Sequence, residues 1–360
     1  MKANTENSNK EKITVISLAR DVQTSEVMVT LQSEYRGKIV IKTVSRDTIT
    51  VSGLRELSKY GFPTLTKTDI DEFLSYFTEN ESDFPMVNIY QKVGWHEIGG
   101  KDYFLHRKPL ADGKAKNGIY KGKLDLSRKG SIDDVIIFFD NNLREAIGLQ
   151  TACAVSLASA IVGRVKNKDL RFIFHIEGTS TSGKTTTLKL AGSLWGNPQI
   201  MPNGVVKNWN ITGNKLVQSA GGNNGVLICL DELAMSNTDN TQLTYLLTGG
   251  NDKQRMTNDD SSDDSFNTVF MSTGEIQFRN SNYGGITVRL FEVKNYNYTK
   301  TKELADTIND FVSEHYGTVG FEFAKVLSDI SDDTLTEKLD EFAKRVEKRI
   351  EMHAQKQGKA

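Results

Sequence analysis

The residues with the clearest chemical potential are Gly178-Thr179-Ser180-Thr181-Ser182-Gly183-Lys184-Thr185, a complete GxxxxGK[ST] pattern followed by Thr186. A strand-like apolar run, Arg171 to Ile176, precedes it, and a helix-forming run, Thr185 to Trp195, follows it. That context separates a phosphate-binding loop from a Gly/Ser/Thr turn that binds nothing. Glycines let the chain curl until successive backbone N–H groups and the helix N-terminus face a β-phosphate. Lys184 can then reach the β- and γ-phosphates of ATP, and the Thr185 hydroxyl can join the shell of its Mg²⁺.

A phosphate loop needs an acidic partner on a neighbouring strand, and Val226 to Leu230, followed by Asp231-Glu232, supplies one. Asp231 is placed for the Mg²⁺ shell, and Glu232 can polarise an attacking water, which points to hydrolysis rather than transfer to a bound acceptor. The plainer alternative is an acidic pair at a helix N-terminus. Ser272 and Thr273 end a further strand from Thr268; either hydroxyl can orient water or merely cap the strand. Arg289, within Ile286-Thr-Val-Arg-Leu-Phe, suits an arginine finger aimed at a neighbouring subunit's nucleotide, or an ion pair within the chain.

The elements that must hold these groups follow from pattern. Beyond Leu170, apolar strands alternate with helices, the mark of an α/β unit with a parallel sheet over 170–295. After Asn295 the spacing turns helical, with Leu304, Ile308 and Phe311 on one face and Leu335, Leu339, Phe342, Val346 and Ile350 on another. A helical lid or C-terminal region is therefore expected over 296–360. Upstream, Ile13 to Leu18, Val27 to Leu31 and Lys38 to Lys42 read as strands, and Asp69 to Thr78 reads as a helix capped by Thr68. A hairpin is expected at Gly99-Gly100, which completes a small β-rich domain over 1–125. Lys108 to Lys129 reads as a loop, and Ser131 caps one helical stretch, Ile132 to Val165, within a linker region over 126–169.

The chain has 360 residues, enough for two or three domains, and a net charge of -1. No global field draws it to nucleic acid or anionic lipid, so any such binding must be local. Cys153 and Cys229 match no metal or disulfide pattern, and Met1 to Lys12 lacks the apolar core of a signal peptide; a cytoplasmic location is the expectation. Ala146 to Gly163 is uncharged and reaches membrane-spanning length. Its Gln150, Thr151, Ser156 and Ser159 suit a helix buried in a soluble protein instead.

Several stretches together resemble the domain-of-unknown-function 927 family. They are GTSTSGKTTTLKLAGSLWGNP, Asn208-Trp-Asn-Ile-Thr212, LDEL, Leu246 to Arg255, Met271 to Glu275 and VRLFEV, with a weaker likeness at Val93-Gly-Trp95-His. That family includes AAA+ helicases, similar to minichromosome maintenance proteins, of staphylococcal cassette chromosomes and pathogenicity islands. The resemblance implies a P-loop AAA+ core and a hexameric, DNA-translocating ATPase that serves replication of a mobile element, with replication initiators or loaders as possible partners. Position by position, it makes Gly178 to Thr185 Walker A, Leu230-Asp231-Glu232 Walker B, Ser272-Thr273 sensor 1 and Arg289 the arginine finger. It places Lys253 and Arg255 on a channel-facing hairpin, and Lys207 and Trp209 on a second insert, all four contacting DNA. The sequence alone reads Lys253 and Arg255 as a solvated turn. Two other classes compete: a remodeller or loader acting on protein partners, and a P-loop kinase or nucleotide switch.

Overall fold

The computed structural model describes residues 13–165, 170–249, 265–278 and 288–357. The chain divides into two compact units, one of residues 1–91 and 117–122, the other of 92–116 and 123–360. The expected boundary near residue 125 is therefore corrected: all of the Val93–Ala115 strands belong with the second unit.

In the first unit, Lys38–Ser45, Val27–Tyr35 and Thr14–Asp21 form an antiparallel meander, with Met86–Tyr90 and Ile119–Tyr120 added in parallel. Alternation along these strands sends Val15, Leu18, Val29 and Leu31 to one face. There they pack with Leu54 of the helix Val51–Glu56 and with Ile70, Phe73 and Phe77 of the helix Lys67–Asn80. Thr66, not Thr68, caps that helix, in a capping box in which Asp69 reaches back to the Thr66 N–H at 2.7 Å.

The second unit is organised by a five-stranded parallel sheet in the order Val206–Asn208, Ile228–Asp231, Phe270–Gly274, Ile173–Glu177, Leu290–Lys294. The acidic strand is not next to the strand before the phosphate loop, as the sequence suggested; Phe270–Gly274 lies between them. A second sheet joins Val93–Ile98, Lys101–Leu105, Pro109–Ala111 and Lys114–Ala115 to the short strand Asn223–Asn224. Its hairpin turns at Gly99 and Gly100, both at positive φ (61° and 78°), as expected.

The Val93-Gly-Trp95 motif has a packing explanation. Gly94 holds φ +80°, and a Cβ there would lie 2.0 Å from the Asn224 carbonyl oxygen, so only glycine lets the two backbones meet. Trp95 donates its indole N–H to the Ala160 carbonyl at 2.8 Å, and the Arg164 guanidinium lies over its ring at 4.8 Å. Arg164 also donates to the carbonyls of Leu327 and Ile330, tying the helix Val319–Leu327 to this sheet.

The stretch expected as one helix is two, Ile132–Asn142 and Ile147–Arg164. Ser131 caps the first as predicted, and Gln150 donates to the Leu143 and Arg144 carbonyls exposed at the break. The second helix is long and apolar enough to cross a bilayer by composition. One side of it packs inside the unit, where Ser156 and Ser159 donate to the carbonyls of Ala191 and Gly225 (2.7 and 3.0 Å). The chain ends in Lys302–Glu314, Val319–Leu327 and Asp332–Gln357, the helical region expected after Asn295. Phe311 stacks on Phe138 at 3.8 Å between ring centres. On the last helix Leu335 is buried, while Phe342, Val346 and Ile350 are exposed.

Candidate functional site

In a parallel sheet all strands end at the same edge, and this edge gathers most of the polar groups singled out above. Ile173–Glu177 runs into the loop Gly178–Gly183, which opens the helix Lys184–Ser193. Thr181 and Gly183 take positive φ (69° and 82°), which curls the loop. A Cβ on Gly183 would meet Thr299 Oγ1 at 2.3 Å. Lys184 is buried and folds back so that Nζ donates to the carbonyls of Gly178 and Thr179 (2.7 and 2.8 Å).

Thr185 Oγ1 lies 3.1 Å from Asp231 Oδ2 and 3.3 Å from Oδ1. From the strand between, Thr273 donates its hydroxyl to Asp231 Oδ1 and accepts the Glu232 N–H at 3.3 Å. Glu232 itself sits at φ 66°, a conformation that costs a non-glycine residue about 1–3 kcal/mol. Its half-buried carboxylate takes no hydrogen bond or ion pair from any described residue. A left-handed turn at Glu232 thus follows directly on Asp231, the partner of Thr185.

Ser272 is not at this cluster. Successive strand residues face opposite ways, and Ser272 turns into the sheet's other side, where it is fully buried between His175 and Trp209. Of the two hydroxyls proposed for orienting water, Thr273 alone meets Asp231. Trp209 is corrected as a DNA contact. Its ring is fully buried, edge-on to Phe278 at 5.8 Å, and its indole N–H donates to Ser272 Oγ at 3.0 Å. Removing such a ring from a core costs about 3–5 kcal/mol, more than the roughly 1–3 kcal/mol returned by one stacked base. Lys207 is no loop residue either: it lies in the edge strand Val206–Asn208, half-buried, and burial together with the Lys123 ammonium holds its pKa below the usual lysine value. Lys253 and Arg255 lie outside the described residues.

Arg289 is half-buried at the start of its strand, and its carbonyl accepts the Ile173 N–H at 2.8 Å. The phosphate loop leaves the sheet after Glu177, in register with Lys294. Five residues at about 3.3 Å each place Arg289 roughly 16 Å from that edge, at the opposite end of the sheet.

Several supporting residues escaped the sequence reading. Tyr298 N–H donates to the Ser182 carbonyl at 3.0 Å, and Asn309 Nδ2 reaches Thr186 Oγ1 at 3.1 Å, so the region after the sheet braces the loop. His175 is buried in the strand before the loop, and burial pushes its pKa down to about 4. Its ring is therefore neutral, with Nε2–H donating to the Ile276 carbonyl at 3.0 Å and Nδ1 accepting from Ser272 at 2.9 Å.

The residues present fit a magnesium nucleotide. Among the described residues no group of three or more His, Cys, Asp or Glu could hold a metal alone. One hydroxyl and one carboxylate within 3.3 Å are the sparse donor set suited to Mg²⁺, which keeps waters and takes its other oxygens from substrate phosphates.

Fold and site together define a mixed α/β protein whose parallel sheet carries a phosphate-loop sequence and an acidic pair at one edge. The chain belongs to the DUF927 family, described as a domain of unknown function, whose model matches residues 2–262. A solved structure described as "SCCmec type IV Cch - active helicase" shares the fold, with a TM-score of 0.75 at 24% identity over 93% of this chain. The match spans 64% of that protein's length. The A-form apo structure of the NrS-1 C-terminal region aligns over 89% of this chain and 67% of its own at 14% identity, with a TM-score of 0.34 that supports no argument. No curated protein matches the chain.

Proposed function

We propose that this chain is an AAA+ ATPase that assembles with copies of itself into a hexameric ring and unwinds DNA for replication of a mobile genetic element. The observation that carries the reading is the cluster of Lys184, Thr185, Asp231, Glu232 and Thr273 at one sheet edge, with Asp231 on a strand separated from the loop strand by the one that bears Thr273. The interposed strand bearing Thr273 matches the sensor position of such cores, and the shared fold with a structure described as an active helicase agrees with it.

On this reading the N–H groups of Gly178 to Thr186 and the N-terminus of the helix Lys184–Ser193 hold the β-phosphate. Lys184 exchanges its two loop carbonyls for phosphate oxygens. Thr185 and Asp231 would hold Mg²⁺, which when bound would neutralise charge on the nucleotide's phosphates. Glu232 takes the proton of the attacking water as its oxygen bonds to the γ-phosphorus. The bond to the bridging oxygen breaks, and ADP leaves with the charge held by Lys184 and the loop. Arg289, too far from its own loop, serves the γ-phosphate bound by the next copy in the ring.

The competing reading is a remodeller acting on protein; the burial of Trp209 removes both a proposed DNA contact and the aromatic that such a remodeller would line its channel with. Forked DNA decides between them. Steady-state turnover is expected to rise several-fold with forked DNA, on particles with the mass of six chains in the presence of ATP. Turnover indifferent to DNA on a particle that stays monomeric would defeat the helicase proposal.

A further inference from the structure

Trp209, Ser272 and His175 are polar groups buried to the last atom of their side chains, yet none touches the phosphate loop. Buried donors are tolerated when each finds an acceptor, and a fully connected set fixes one arrangement of the chain. Here the direction is set throughout. The Trp209 indole N–H donates to Ser272 Oγ (3.0 Å), the Ser272 hydroxyl donates to His175 Nδ1 (2.9 Å), and His175 Nε2–H donates to the Ile276 carbonyl (3.0 Å). A carbonyl accepts only, so the chain of bonds cannot reverse. Phe278 closes over it, edge-on to both His175 and Trp209.

Two members of the relay, its Trp209 end and its centre at Ser272, meet the catalytic edge through the backbone. Trp209 N–H donates to the Asp231 carbonyl at 2.9 Å, and Ser272 is the residue before Thr273, whose hydroxyl holds Asp231 and the Glu232 N–H. We infer that Trp209, Ser272 and His175 form a buried relay that positions Asp231, Glu232 and Thr273 for hydrolysis, and that all three are positioning residues, contacting neither nucleotide nor DNA. The inference rests on the hydrolytic reading above. It also accounts for Trp209 in the sequence Asn208-Trp-Asn: one residue pins the ends of two strands, by its backbone and by its ring.

The test uses Trp209→Phe, which keeps an aromatic ring and removes one donor, and Ser272→Ala, which removes the centre of the relay. Turnover and Mg-ATP affinity are measured on protein shown to be folded by circular dichroism. Each variant is expected to lose about 10-fold in kcat with the nucleotide Kd unchanged within two-fold, and the double variant to resemble Ser272→Ala alone, because groups acting as one unit do not add. Ser272→Cys, with a weak donor and acceptor, should recover part of the loss. Wild-type kcat in folded Trp209→Phe, or losses that multiply in the double variant, would overturn the relay while leaving the ATPase reading intact. Absence of hydrolysis by the unsubstituted protein would instead overturn that reading, and the relay with it.

Discussion

Glu232→Gln is expected to bind Mg-ATP as well as the unsubstituted protein and to hydrolyse it on the order of 10²–10⁴-fold more slowly, the range ascribed to a positioned general base. The amide keeps the shape of the side chain and the backbone geometry at φ 66°, including the N–H held by Thr273. It lacks only the basicity that takes water's proton. Asp231 is a poor substitute for that role, since both of its oxygens already face Thr185 and Thr273. Single-turnover phosphate release, measured beside equilibrium binding of ATP, separates the two quantities. Unchanged release would assign water activation to another residue.

The second large effect is acid destabilisation of the second unit. Burial pushes both His106 and His175 down to about 4 from the ordinary 6.5, outweighing the bond each makes to a carbonyl, Trp195 for His106 and Ile276 for His175, which by itself favours the protonated ring. The unfolded chain takes up these protons near pH 6.5, and the native state resists them until about pH 4. The stability is thus complete above 6.5 and is lost as pH falls from there towards 4. At 1.36 kcal/mol per pH unit, each histidine accounts for about 3 kcal/mol across that interval. Two together remove about 6 kcal/mol, comparable with the ~5–15 kcal/mol that holds a typical domain folded. Trp95, Trp195 and Trp209, the three tryptophans of the chain, all lie in this unit, so their fluorescence reports it selectively. The urea midpoint followed in this way should fall steeply between pH 6.5 and 4.5. A midpoint flat over that range would show that the rings are charged or solvated in the native state.

What could be read from the sequence was local. The phosphate loop carries its own glycines, its strand and helix flank it directly, and the run Val226 to Leu230 is apolar, as a strand inside a parallel sheet must be. The helix cap was ambiguous for an equally local reason: Thr66 and Thr68 each stand three residues before an aspartate, and either satisfies the capping pattern. What escaped depends on distant partners. The placement of Val93–Ile98 rests on pairing with a two-residue strand, Asn223–Asn224, that no alternation can announce. Between Ser272 and Thr273, both hydroxyls at a strand end, only the identity of neighbours from two other strands decides which one meets Asp231. Trp209, flanked by asparagines, looks like an exposed loop aromatic until Phe278 and Ser272 are brought over it. The break between Asn142 and Ile147 carries neither glycine nor proline, and Gln150 satisfies the carbonyls there from within the next helix.

Every step of the proposed chemistry presupposes a triphosphate in the loop that ends at Lys184. Calorimetric titration of the folded chain with Mg-ATP should show one site per chain, and Lys184→Ala should abolish it, because the ammonium that reaches the phosphates is gone. A folded, unsubstituted protein that takes up no Mg-ATP would contradict the account at its root.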